Sequence, residues 1–209
     1  MNLENITINT HSSIRIAGSK VIYFDPFQIT QEAHDADVIF VTHDHFDHLD
    51  PESIARIMKE DTVLVVPESI EKSAQAAAGT HELITVSPGE SGRAGGMTFR
   101  AVPAYNKMKP FHPKRNAWVG YVVSMDNMTY YVAGDTDAVK ELEEIRCDVA
   151  LVPIGGKYTM TAPQAAALVN RISPRAAIPT HYGSVVGSAE DAKVFGRELD
   201  PKIQVEYRI

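Results

Sequence analysis

The stretch THDHFDHLD, residues 42–50, places three histidines and three aspartates in nine positions. It directly follows the apolar run Val38-Ile39-Phe40-Val41. A short, continuously apolar run reads as a strand covered on both faces. In extended chain, residues i and i+2 point to the same side, so His43 and His45 share a face. Asp47 and His48 come where the chain turns towards a helix. Asp50 is the expected N-cap of that helix and Pro51 its first residue. The pattern His-x-His-x-Asp-His therefore offers two groups of ligands to one small volume. Imidazole nitrogen and carboxylate oxygen suit Zn2+, with Mn2+ and Fe2+ also compatible. A solvated, histidine-rich loop is the alternative, but three of the chain's eight histidines fall within six residues at a strand end. Asp44 lies between two of them and is expected to orient an imidazole.

Outward from this stretch, strand-like runs fall at 6–9, 14–16, 20–24, 63–66, 98–102, 119–124, 129–132, 149–153, 176–179 and 203–207. Helices are expected from residue 51, over 68–78, from the capping-box sequence Thr161-Ala-Pro-Gln164, and over 188–199. Strands come first and then mix with helices, once in each half. That order predicts an α/β protein with two mixed sheets packed together and helices outside. The 209 residues carry no repeat or linker, and one domain over 1–209 is expected.

Hydrophobic residues make up 44% and charged residues 22%, as in ordinary globular proteins. The net charge of -7 argues against a nucleic-acid or membrane-surface partner. No apolar run reaches transmembrane length, and the first residues, MNLENITINTHSS, lack the basic and apolar regions of a leader. The lone Cys147 forms no intrachain disulfide and reads as a small core residue. These features favour the cytoplasm. A homo-oligomer is compatible with them.

THDHFDH resembles the signature loop of the metallo-β-lactamase superfamily. YYVAGDTD at 130–137 is similar to the segment that supplies an aspartate, here Asp135. IPTHYG at 178–183 is similar to the segment that supplies the last histidine, here His181. ALVPIGGKYTM at 150–160 and VPAYNK at 102–107 resemble a branch of small metal-dependent hydrolases related to the ascorbate-6-phosphate lactonases. The resemblance implies a four-layer αββα sandwich (α+β in some schemes) with metals at the edge between the sheets. It implies that His43, His45 and a third histidine hold one metal. Asp47, His48 and His181 hold the second, and Asp135 bridges. It further implies that His11 faces the site and that Asp25 hydrogen-bonds the metal loop. Both Asp135 and His181 follow apolar runs and sit beside a glycine, which places them at strand ends.

The chain departs from this pattern at one place. Where the third histidine is expected stands Asn106, and no histidine lies between His81 and His112. Asn106 could supply a carbonyl oxygen, a poorer ligand for zinc than imidazole, or His112 could fold back from the following loop. The first expectation is one firmly held metal and one weak or exchangeable metal. Two firm metals, or none, are the alternatives. With Asn106 as ligand, Asn106→His would raise affinity for a second metal. The segment NKMKPFHPKRNAW, 106–118, carries Lys107, Lys109, Lys114 and Arg115 and is long for a connection between strands. It is a rim that attracts an anionic substrate, or simply a solvated loop. Tyr105, Phe111 and Trp118 line a pocket or pack in the core.

Together these residues predict a metal-dependent hydrolase acting through metal-bound hydroxide on a small, anionic substrate, either a phosphorylated lactone or sugar, or a phosphodiester. Asp47 would orient the hydroxide, and Tyr158, Lys157 or His112 would stabilise the developing oxyanion. The alternative is a metal- or ligand-binding protein of the same fold without turnover.

Overall fold

A computed structural model describes residues 3–209. Met1 and Asn2, the start of the segment read for a leader, lie outside the described residues. The first sheet has the order β1 (Ile6–Thr10), β2 (Ser13–Ala17), β3 (Val21–Phe24), β4 (Ala36–Phe40), β5 (Met58–Pro67) and β6 (Glu82–Val86). The second runs β13 (Gln204–Val205), β12 (Ala176–Thr180), β11 (Val149–Pro153), β10 (Met128–Val132), β9 (Val119–Met125), β8 (Met97–Pro103) and β7 (Ser91–Ala94). Each sheet is antiparallel at one end and parallel at the other, as mixed strand and helix order requires.

The two sheets face each other over an apolar layer that includes Ile14, Ile16, Phe40, Phe99, Tyr121 and Leu151. Strand β8 shows why: Met97, Phe99 and Ala101 are buried while Thr98 and Arg100 are exposed, the period-two alternation of a sheet with one face inward. Helices α1 (Pro51–Ile57) and α2 (Glu71–Ala78) cover the outer face of the first sheet through Ile54, Ile57 and Ala74. Helices α3 (Ala162–Ile172) and α4 (Ala189–Glu198) cover the second through Ala165, Leu168, Val169 and Phe195. The expected αββα layering is therefore present.

The caps behave as their sequences suggest. The Asp50 side chain accepts from the Glu52 amide, and both Thr161 and Ser188 form capping boxes. Elsewhere the elements differ in detail. The expected helix 68–78 divides into a 3-10 turn, Glu68–Ile70, and α2. Strands β6 and β7 were not expected. They are short and half-exposed, so neither shows the apolar run or clean alternation that marks a strand. The expected terminal strand shrinks to the two residues of β13. Among the described residues, no helix is long and apolar enough to cross a membrane.

Candidate metal centre

The strand ends of both sheets meet along one edge. His11 follows β1, the stretch 42–50 follows β4, His112 lies on the connection after β8, Asp135 follows β10, and His181 follows β12. All but His45 among the histidines and aspartates expected as ligands are buried there, and His45 is half-buried. Parallel strands end with their carboxyl termini at the same edge, so residues far apart in sequence converge.

Three overlapping groups have ligand atoms close enough to share an ion. They are His43, His45 and His112; His43, His48 and Asp135; and His11, Asp47, His48 and His181. Asp135 lies at their centre. Its Oδ2 is 3.0 Å from His181 Nε2 and 3.2 Å from His112 Nε2, and its Oδ1 is 3.5 Å from His48 Nε2. His11 Nε2 lies 3.2 Å from Asp47 Oδ2. Thus the structure brings together His43, His45, Asp47, His48, Asp135 and His181, and adds His112 and His11.

Hydrogen bonds behind the cluster determine which nitrogens face it. Asp25 is fully buried and its carboxylate only accepts. Its Oδ2 takes bonds from Thr42 Oγ1 at 2.7 Å and from His48 Nδ1 at 2.7 Å. The Thr42 hydroxyl proton is thereby used, so Thr42 Oγ1 accepts from His43 Nδ1 at 2.9 Å. Both imidazoles consequently carry hydrogen on Nδ1 and present the Nε2 lone pair to the cluster, as ligation requires. The Nε2 of His43 faces Nδ1 of His45 at 3.1 Å. Two nitrogens bound to one tetrahedral ion at its usual bond length stand about 3.3 Å apart. The Nε2 atoms of His11, His48, His112 and His181 are buried without a hydrogen-bond partner. Inward-facing lone pairs of this kind are what a cation would satisfy, so the donor set fits a metal.

Electrostatics agree. Burial and neighbouring imidazoles hold His43 well below the usual histidine range; His11 and His45 are also lowered, mainly by burial. Neutral imidazole is the form that ligates. Burial opposes protonation of His48 too, yet the carboxylates of Asp135, Asp25 and Asp47 outweigh it and raise its pKa to about 9, a negative field in which a metal cation would take the place of the Nε2 proton. Burial also pushes Asp47 upward, but the neighbouring His11 and the charge of His48 bring it down to about 2. Asp135 is held well below the carboxylate range despite its burial, by His181 and His48. The centre thus concentrates negative charge that calls for a cation.

Asn106 has another part than the ligand role expected of it. Its Nδ2 donates to the Tyr158 carbonyl at 2.9 Å, which orients the amide. Its Oδ1 then accepts from the His112 backbone N–H at 3.1 Å and from His112 Nδ1 at 3.0 Å. Asn106 is therefore engaged in holding His112, whose Nε2 points at Asp135. His112 is accordingly placed with the ligands rather than at the rim. Asp44 is exposed, and Asp25 does the orienting expected of it. Two of the four loop cations are paired: Lys109 Nζ with Asp137 at 2.7 Å and Lys114 Nζ with Glu141 at 2.9 Å. Lys157 is exposed and sits 5.0 Å over the Tyr158 ring. Cys147 is half-buried against the core rather than in it, and burial pushes its thiol up to about 12, as suits an inert residue.

Several contributors gave no signal in sequence. Thr42 relays Asp25 to His43. Trp118 packs its ring 4.8 Å from His43 and 4.9 Å from His45. His11, Asp25 and His181 adopt positive φ of 55°, 45° and 58°. Such backbone costs on the order of 1–3 kcal/mol per residue and persists where surrounding structure enforces it, often at functional sites. Gly155 lets His181 approach, because a Cβ there would lie 2.5 Å from the His181 carbonyl oxygen.

Comparisons with known proteins agree with this geometry. The model of the beta-lactamase superfamily domain matches residues 5–181. A UPF0173 metal-dependent hydrolase of Thermococcus kodakarensis is 32% identical, over 93% of this chain and 92% of its own length. One of Pyrococcus horikoshii is also 32% identical, with the same coverage. A solved protein from Parabacteroides distasonis superposes with a TM-score of 0.80 at 30% identity, covering 97% of this chain and 91% of that one. The chain belongs to the beta-lactamase superfamily and, within it, to the UPF0173 metal-dependent hydrolases.

Proposed function

We propose that this hydrolase works through a two-metal centre on a small molecule with a strongly polarised or anionic acyl or phosphoryl group. His43, His45 and His112 would hold one ion. Asp47, His48 and His181, with His11 beside them, would hold the other, and Asp135 would bridge. The observation that carries this reading is the convergence of unpartnered Nε2 atoms of His48, His112 and His181 on one buried carboxylate, Asp135. Bound there, a divalent ion supplies Lewis acidity and lowers the pKa of water to about 7, which makes hydroxide available at neutral pH. Zn2+ suits this donor set best, with Mn2+ or Fe2+ as alternatives.

The chain's own residues then have separate tasks. Asp47, ionised across the physiological range, orients the attacking water by accepting its proton in a hydrogen bond. Asp25 and Thr42 keep His43 and His48 in the ligating tautomer. Asn106 does the same for His112. Tyr158 and Lys157, on the loop after β11, would meet charge developing on the substrate oxygen. Trp118 excludes water from beneath the histidine rings.

The test is elemental analysis of metals per chain, followed by turnover of phosphodiesters and lactones with Zn2+ or Mn2+. Metal-dependent turnover, lost in His48→Ala, is the expected result. Tight metal binding without turnover across the panel would instead identify a binding protein of the same fold.

A further inference from the structure

Among the described residues, six large apolar side chains are exposed: Phe46, Met108, Phe111, Val185, Tyr207 and Ile209. Four of them sit on the loops that carry the candidate ligands. Phe46, 69% exposed, stands between His45 and Asp47. Phe111, 38% exposed, directly precedes His112, and Met108, 94% exposed, lies on the same loop. Val185, 42% exposed, follows His181 by four residues. The rings of His45 and His112 are 5.0 Å apart, which brings together the loops that carry Phe46 and Phe111, and Phe46 packs edge-on against Phe27 at 5.9 Å. Phe111 also stacks edge-on against Tyr158 at 4.7 Å. That pair is braced from below by the bond from Asn106 to the Tyr158 carbonyl.

Single exposed apolar residues are ordinary on a protein surface, but their concentration at a site mouth is informative. Two of the four basic side chains of the same rim are paired. Lys109 bonds Asp137 and the Thr159 carbonyl, and Lys114 bonds Glu141. The mouth is therefore more apolar than its lysine content suggests.

We infer that the substrate carries an alkyl or aromatic substituent beside its scissile bond, and that Phe46 and Phe111 hold this substituent. The inference rests on the hydrolase reading for where the scissile bond lies, but its test does not need turnover. Alkylphosphonates of one to six carbons present the same metal-seeking head with a growing tail. Calorimetric titration of the metal-loaded protein should show Kd falling roughly two- to fourfold per added methylene, the range between half and full burial. In the double variant Phe46→Ser/Phe111→Ser that increment should drop below about 1.5-fold per methylene. Tyr207→Ser, which alters an exposed apolar residue packed on α4, should keep it.

A flat series in the unaltered protein would overturn the inference, as would an unchanged increment in the double variant. So would sedimentation showing that the double variant converts a dimer to a monomer, since the rim would then be buried against a second copy. A chain-length increment without turnover on any ester or phosphodiester would keep this inference and remove the hydrolase mechanism. Turnover with a flat series would do the reverse.

Discussion

Replacing Asn106 tests the arrangement most directly, because one amide makes three side-chain bonds. Its Oδ1 accepts two from His112, and its Nδ2 donates one to Tyr158. At roughly 0.5–1.5 kcal/mol net per bond, Asn106→Ala should destabilise the fold by about 2–4 kcal/mol. Only the bond to Nδ1 fixes the ring and tautomer of His112. Loss of such an orienting partner lowers metal affinity by about 10–100-fold, or about 1.4–2.8 kcal/mol. Competition with a chromophoric chelator reads this affinity, and thermal unfolding reads the stability separately. Asn106→Asp keeps the acceptor and loses the donor, so its melting temperature should fall while metal affinity stays near that of the unaltered protein. Asn106→His should lower affinity, not raise it, because an imidazole cannot reproduce all three bonds. Equal metal affinity in the Ala variant, or an Asp variant as weak as the Ala one, would refute the claim that Asn106 acts through His112.

Three further outcomes can be measured. Asp25→Asn puts a donor where Thr42 and His48 both donate, so it should cost about 2–4 kcal/mol in urea unfolding and weaken metal binding at least tenfold. Gly155→Ala forces a methyl group against the His181 carbonyl and the Val186 side chain, each 2.5 Å away. It should cost about 1–3 kcal/mol and displace His181, read as a lowered urea midpoint together with weaker metal binding. Asp37, bonded by Lys59, Lys20 and the Val21 amide, is held below its ordinary 3.8 by these partners, which outweigh its burial. A carboxyl with lowered folded pKa stabilises the fold above its unfolded pKa, and that stabilisation is lost as pH falls through the folded value. The difference in urea midpoint between the unaltered protein and Asp37→Asn should therefore be full at pH 6–7 and shrink below about pH 4. A difference independent of pH would show that the charge is irrelevant.

The parts of the site legible in sequence share one property: a local pattern was enough to place them. His43, His45, Asp47 and His48 follow an apolar run, and Asp135 and His181 follow runs and adjoin glycine. Strand ends are set by burial of the run, so residues just beyond them go to the sheet edge. His112 has no such pattern. It lies in an irregular connection, and three bonds with Asn106 place it, through Oδ1 twice and through its own carbonyl, which accepts from the Asn106 amide at 2.7 Å. Asp25 and His11 sit in turns at positive φ that no local pattern marks, so only the family resemblance pointed to them. The charge of the basic loop needed the fold for a related reason. Counting lysines says nothing of Asp137 and Glu141, which come from other segments and neutralise two of them.

This difference in how the ligands are placed bears on how firmly each metal is held. Asp47 and His48 sit in a buried turn closed by the His48 and Leu49 amides on the His45 carbonyl, His181 directly follows β12 with its amide on the His11 carbonyl, and His48 is anchored on buried Asp25. The first group has His43 equally well anchored, but His45 is half-exposed and His112 arrives on a loop. Half-exposed groups and long surface connections open locally at lower free energy than buried, hydrogen-bonded turns, so ligands on them are lost more readily. The ion at His43, His45 and His112 should therefore leave first during stepwise chelation, while the ion at Asp47, His48 and His181 remains. Titration with a weak chelator should show two steps, and His112→Ala should abolish only the first to be released. His48→Ala, which removes a member of the second set and leaves His43, His45 and His112 intact, should abolish the retained step instead. A single cooperative release, or retention of the weaker step in His112→Ala, would mean that the two ions are not held by separate ligand sets of unequal rigidity.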